Sequence, residues 1–226
     1  MDSLIQVIQK ARNILFSKDN WQTLGDYLGF NKSLSKQPIT SQETLAFFLK
    51  SRASHVAQSS LYGYLKTRAG TRFPEMFKDP GMLLSMNIAK WQIWLACLSD
   101  ISVYVGGLIK KETNCDNEVI HNLLGDALQH ILDETGIPEE SDKEFPVSAE
   151  AVRRRIMNID FASVTDDDFA FTESPESLFR WSPIADELKK FDKTIVQNSI
   201  RFRWIEIRRN ARKLLKADEL LSSVQT

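Results

Sequence analysis

The spacing of apolar and polar positions between residues 41 and 109 predicts two long helices joined by a short turn-rich connector, AGTRFPEMFKDP. In the first arm Leu45, Leu49, Ala53, Val56, Ala57, Leu61 and Tyr64 recur every three or four residues, so 100° per residue gathers them with Gly63 on one broad face. Thr40 followed by Glu43 has the form of a capping box, and Gly70 supplies the left-handed closure, giving a helix from about Ser41 to Ala69. At 1.5 Å per residue that arm is ~43 Å long. Gly63 costs about 1 kcal/mol of helix propensity against alanine, which the close approach of a partner helix offsets.

The second arm opens on Asp79 as N-cap with Pro80 at the first helical position. Its run GMLLSMNIAKWQIWLACLSDISVYVGGLI is apolar at every angle, the pattern of a helix surrounded on all sides, and Gly106 and Gly107 are expected to end or fray it. Asp100 is the single charge between Trp91 and Ile109. In a membrane span it would lie near the bilayer centre at a cost of at least ~2.5 kcal/mol, so a buried core helix is the better reading. Asp100 is then buried and paired, with a base or His55 of the first arm as the expected partner.

Amphipathic helices are also predicted from Ser3 to Phe16, from Trp21 to Leu28, from Asp116 to Thr135, and from a Ser148 cap to near Ile159. Residues 160–181 read as an acidic loop pinned to the body by Phe161, Phe169, Phe171, Phe179 and Trp181. Ser182 and Pro183 open a final helix reaching about Leu221. Ile200, Trp204, Ile207, Ala211 and Leu214 form its buried face, which Leu188, Phe191, Ile195, Phe202 and Ile205 are expected to widen. The fold class is all-α, an irregular helical bundle organised around a long antiparallel helical hairpin. The chain reads as a single helical domain over 1–226, with the hairpin core at 41–109, the acidic aromatic loop at 160–181 and the long C-terminal helix at 183–221.

Composition narrows the function classes. The 226 residues include 9 Gly and 7 Pro and show no alternating β-branched runs, which argues against a sheet of any size. The two cysteines exclude a disulfide framework and a cysteine-only zinc site. The start MDSLIQVIQKARN shows no basic region followed by an apolar run, so the cytoplasm is the expected compartment. A net charge of −1 counts against nucleic acid as a partner.

That charge is unevenly spread. Residues 44–74 carry Lys50, Arg52, Lys66, Arg68 and Arg72 and no acid, and residues 189–216 carry ten bases against two acids. Residues 133–150 carry seven acids against one lysine, and residues 160–176 carry six acids and no base. On the first arm Arg52, His55, Ser59, Tyr62 and Lys66 form a polar stripe away from the apolar face, continued by Arg68 and Arg72 in the connector. Guanidinium, imidazole, hydroxyl and ammonium groups suit a phosphate or carboxylate. Two accounts follow: an acidic loop of the same chain covers the stripe, or the stripe receives an anionic small molecule or an acidic protein surface. The second makes the chain a non-enzymatic binding or assembly module without a cofactor.

Catalytic and metal patterns are sparse. Glu118 and His121 form one Glu-x-x-His without the second copy a di-iron bundle needs, and His121 and His130 fall on opposite sides of one helix. There is no Gly-x-Ser-x-Gly elbow. His55 and Ser59, one turn apart with Asp100 as a possible orienting carboxylate, give the alternative of a small hydrolase. The runs SRASHVAQSSLYGYLKTRAGTRFPEMF and SMNIAKWQIWLACLSDISVYV resemble a group of bacterial, mainly proteobacterial, all-helical proteins of unknown function, some labelled esterase. The resemblance covers about 60 of the 226 residues and implies the same hydrolase alternative.

Overall fold

The computed structural model describes residues 37–166 and 170–224, and within them the regular structure is helical, apart from one isolated β-bridge. The helices predicted over Ser3–Phe16 and Trp21–Leu28 lie outside the described residues. Helix α1 spans Gln42–Ala69. Its cap is one residue later than the sequence suggests. Ser41 adopts the extended conformation, its hydroxyl accepts from the Thr44 N–H at 3.3 Å, and the Thr44 hydroxyl accepts from the Ser41 N–H at 2.9 Å. Thr44 thus does the work expected of Glu43, because its short side chain can fold back onto the cap while also bonding the Ser41 carbonyl. Gly70, at φ 55°, closes the helix by donating its N–H to Lys66.

After a 3₁₀ turn at Gly70–Arg72 and the single-turn helix α2 (Phe73–Met76), Asp79 accepts from the N–H groups of Gly81 and Met82 and starts α3 (Pro80–Thr113). Every residue of α3 from Gln92 to Ile109 is buried. By length and composition α3 could cross a membrane, and its apolar window lies wholly inside the fold. Gly106 and Gly107 do not end it. The helix continues to Thr113 and is closed by Asn114 in the left-handed region. The two glycines are there for their neighbours: a Cβ on Gly106 would collide with the Phe161 ring, and one on Gly107 would lie 2.5 Å from Val164 Cγ1.

Helix α4 (Asn117–Thr135) is closed by Gly136 at φ 62°. Helix α5 (Phe145–Asn158) begins three residues before the predicted Ser148 cap, with Pro146 in its first turn, where a missing N–H is harmless. The expected loop over 160–181 instead contains a 3₁₀ turn at Phe161–Ser163 and helix α6 (Glu173–Trp181). Its aromatic anchors hold: Phe161 and Phe171 are buried and Phe179 and Trp181 half-buried, while Phe169 lies outside the described residues.

The single C-terminal helix expected over 183–221 is three helices. Ser182 closes α6 by bonding Leu178 rather than opening a new helix. Helix α7 is one turn, Asp186–Lys189, and α8 runs from Lys193 to Leu214. The chain then turns extended at Leu215 and resumes as α9 (Ala217–Val224). The break has a cause far away in sequence. Ile39 donates its N–H to Leu214 O at 2.8 Å and accepts the Lys216 N–H at 3.1 Å, so the backbone groups freed by the break are bonded across the fold. At the other end of α8, Asp192 meets Tyr64 and Arg68 near the end of α1. With one end tied to residue 39 and the other to residues 64 and 68, α8 runs antiparallel to α1.

Ile200, Trp204, Ile207, Ala211 and Leu214 are buried as their spacing predicts. Leu188, Phe191, Ile195, Phe202 and Ile205 are exposed, contrary to expectation. Among the described residues no element covers their side chains.

Candidate functional site

The residues of the α1 stripe do not share one environment. Arg52 is half-buried, its guanidinium 5.2 Å from the centre of the Phe48 ring, and Glu206 of α8 is the carboxylate that acts on it. Burial lowers the Arg52 pKa, and the field of Glu206 opposes that shift. His55 and Ser59 are half-buried, with the Ser59 hydroxyl donating to Val56 O of its own helix at 3.4 Å. Tyr62 packs 6.4 Å from Phe77, and burial raises its phenol pKa. Lys66 and Arg72 are exposed and make no ion pair among the described residues. Arg68 is taken up internally, pairing with Asp192 at 3.3 Å and donating to Leu188 O at 3.1 Å.

Helix α8 adds a residue that the α1 pattern alone could not supply. Gly63 lies under Arg203, and a Cβ there would be 3.2 Å from Arg203 Nη2. The half-buried Arg203 has its pKa lowered by burial. The Nε groups of Arg52 and Arg203 are buried without a hydrogen-bond partner among the described residues. Gly63 had signalled a close helix neighbour; that the neighbour would be cationic was not legible from α1.

Among the described residues, the acids expected to cover the stripe are engaged elsewhere. Asp160 accepts from Asn117 and from the Ala162 N–H, and Asp166 meets Arg212 at 2.7 Å and the Tyr104 hydroxyl at 2.7 Å. Glu173 pairs with Arg155, and Glu176 with Lys193 and Gln197. Asp167 and Asp168 lie outside the described residues. One base of residues 44–74 is answered by the other acidic stretch, Lys50 to Glu134 at 3.0 Å.

Asp100 is fully buried and paired, through partners other than those expected. Arg155 of α5 donates to its Oδ1 at 2.7 Å, and the first N–H groups of α6 donate to it from Glu173 at 3.2 Å and Ser174 at 2.8 Å. The N-cap position Thr172 offers no side-chain cap, so Asp100 satisfies the start of α6 from another helix. The same guanidinium reaches Ser99 Oγ and Ala170 O, while Trp204 donates to Ser174 Oγ at 3.0 Å. Burial pushes the Asp100 carboxyl up, with Arg155 and Ser174 pulling it back, and burial together with Asp100 pushes the neighbouring Cys97 thiol well up. These shifts belong to a structural knot closed to solvent. Asp100 is therefore not an orienting carboxylate for His55, and the hydrolase alternative loses its third member.

Among the described residues no three His, Cys, Asp or Glu side chains cluster as metal ligands, and His121 Nε2 bonds Ile159 O. No known family, curated protein or solved structure matches the chain.

Proposed function

We propose that this chain is a non-enzymatic binding or assembly module whose recognition surface is the seam between α1 and α8, and that its ligand is an acidic polypeptide surface. The carrying observation is the pair of half-buried guanidiniums, Arg52 and Arg203, whose Nε groups have no partner among the described residues and near which a single carboxylate, Glu206, acts. Half-burying an arginine costs stability, and although the Nε groups are closed to solvent, a carboxylate meeting the terminal nitrogens of the guanidiniums offsets part of that cost with charge-assisted bonds. Spacing separates the two ligand classes raised by the sequence. Arg52 and Arg72 lie ~30 Å apart along α1 and its connector, far more than one phosphate can bridge and about the length of a nine-residue extended peptide.

The scaffold that carries the seam is read as an antiparallel α1–α3 hairpin. Trp94 donates to Ser54 at 3.0 Å, and the two residues lie at nearly equal sequence distances from the connector, as positions facing each other across a hairpin do. Titrating the protein calorimetrically with a glutamate decapeptide and, separately, with inorganic phosphate tests the proposal. Saturable, salt-weakened binding of the peptide with little response to phosphate is the expected result. A response to phosphate alone would replace the polypeptide with a small anion, and no response to either would remove the binding role.

A further inference from the structure

We infer that the outer face of α8 is an antiparallel self-association seam that receives α8 of a second copy of this chain. Phe191, Ile195 and Phe202 are 80%, 71% and 70% exposed, and Leu188 and Ile205 are exposed beside them. With Asn198 these residues step through the chain at 188, 191, 195, 198, 202 and 205, alternating three and four residues. That narrow period is the mark of a helix-pairing seam, whereas a core-facing stripe is wider. Ile195, Asn198, Phe202 and Ile205 lie on α8 itself, while Leu188 and Phe191 precede it on α7 and in the turn, where Lys190 (φ −54°, ψ −32°) and Asp192 (φ −93°, ψ −6°) keep the chain close to helical.

The occupant follows from what happens when the pattern is reversed. In antiparallel pairing each position meets the one that keeps the residue sum constant, which sets Leu188 against Ile205, Phe191 against Phe202, and Ile195 against Asn198 of the second copy. Four of the six layers of the symmetric pair are then wholly apolar, and the two Asn198 layers sit at its centre. A lone polar residue at such a position fixes register and orientation at a cost in stability. Flanking positions on one side of the seam pair at a residue sum two higher than the core layers, 395 rather than 393, and their charges do not oppose the arrangement: Glu187 comes opposite Arg208, and Thr194 opposite Arg201.

The five apolar side chains leave roughly 500–600 Å² in water, at the upper end of the largest patch on a typical monomer. A two-fold contact buries about twice that, at the low end of specific interfaces, so the dimer is weak and concentration-dependent.

Sedimentation of the full chain from low micromolar to several hundred micromolar tests the inference. The wild type should rise to twice the monomer mass. Phe202→Glu should stay monomeric with unchanged circular dichroism and melting temperature, since Phe202 touches little of the fold. Asn198→Leu should tighten the dimer about tenfold by replacing a buried polar layer with an apolar one. A wild type that is monomeric throughout would overturn the inference and leave the face to residues 1–36 or to a different protein. A dimer indifferent to Phe202→Glu or to Asn198→Leu would overturn it too, placing the contact elsewhere.

Discussion

At the scale of single residues, Asp100 shows how a buried charge is made tolerable and what its removal costs. Its two oxygens face a guanidinium and two backbone N–H groups, all donors. Asparagine has the same shape but turns an NH₂ toward one of those donors and leaves Arg155 without its carboxylate. Asp100→Asn is therefore expected to destabilise by about 1–3 kcal/mol or more, measured as a shift in the urea midpoint. An unchanged midpoint would show that the contacts are not made in solution. Tyr64 offers a pH readout. Burial and its bond to Asp192 push its pKa up to about 12, so the fold favours the neutral phenol. That contribution is complete below the unfolded value of ~10 and is lost as pH rises through the folded value. In ultraviolet titration, the wild type minus Tyr64→Phe difference should centre near 12; a centre near 10 would mean that Tyr64 is not held by Asp192.

At the scale of elements, the glycine pair in α3 separates what sequence shows from what packing decides. Gly106 and Gly107 look like a helix end because glycine lacks helix propensity, and only the fold reveals Phe161 and Val164 pressed against their α-carbons. Gly→Ala inside a helix ordinarily gains about 1 kcal/mol, whereas overpacking a core costs ~1–3 kcal/mol. Gly106→Ala should accordingly lower stability, and Phe161→Leu in the same chain should recover part of the loss. A stabilised Gly106→Ala would mean that Phe161 does not sit there. The start of α3, the end of α4 and the buried face of α8 were legible because caps and 3.6-residue spacing are local signals. The break at Leu215 was not, because it depends on Ile39 some 176 positions earlier. Helix α6 was hidden similarly: its opening N–H groups are capped by Asp100 of α3, while its own Thr172 gives no cap to read.

At the scale of the molecule, segregated charge is only partly internal. The acidic stretches find Lys50, Arg155, Lys193 and Arg212, yet among the described residues Arg52, Lys66 and Arg72 of the predicted stripe are left facing outward or toward α8. The α1 half of the candidate site was readable as an absence of acids. The contribution of Arg203 was not, since only the antiparallel α1–α8 packing brings it over Gly63. The most direct test uses the variant Arg52→Ala/Lys66→Ala, with the urea midpoint and the affinity for a glutamate decapeptide measured on the same preparation. If the seam serves an external acidic partner, the midpoint is not lowered by more than about 0.5 kcal/mol, because the half-burial of Arg52 is itself unfavourable and Lys66 is exposed, while affinity falls severalfold. A variant that loses stability, or one that binds the peptide as tightly as wild type, would contradict the account.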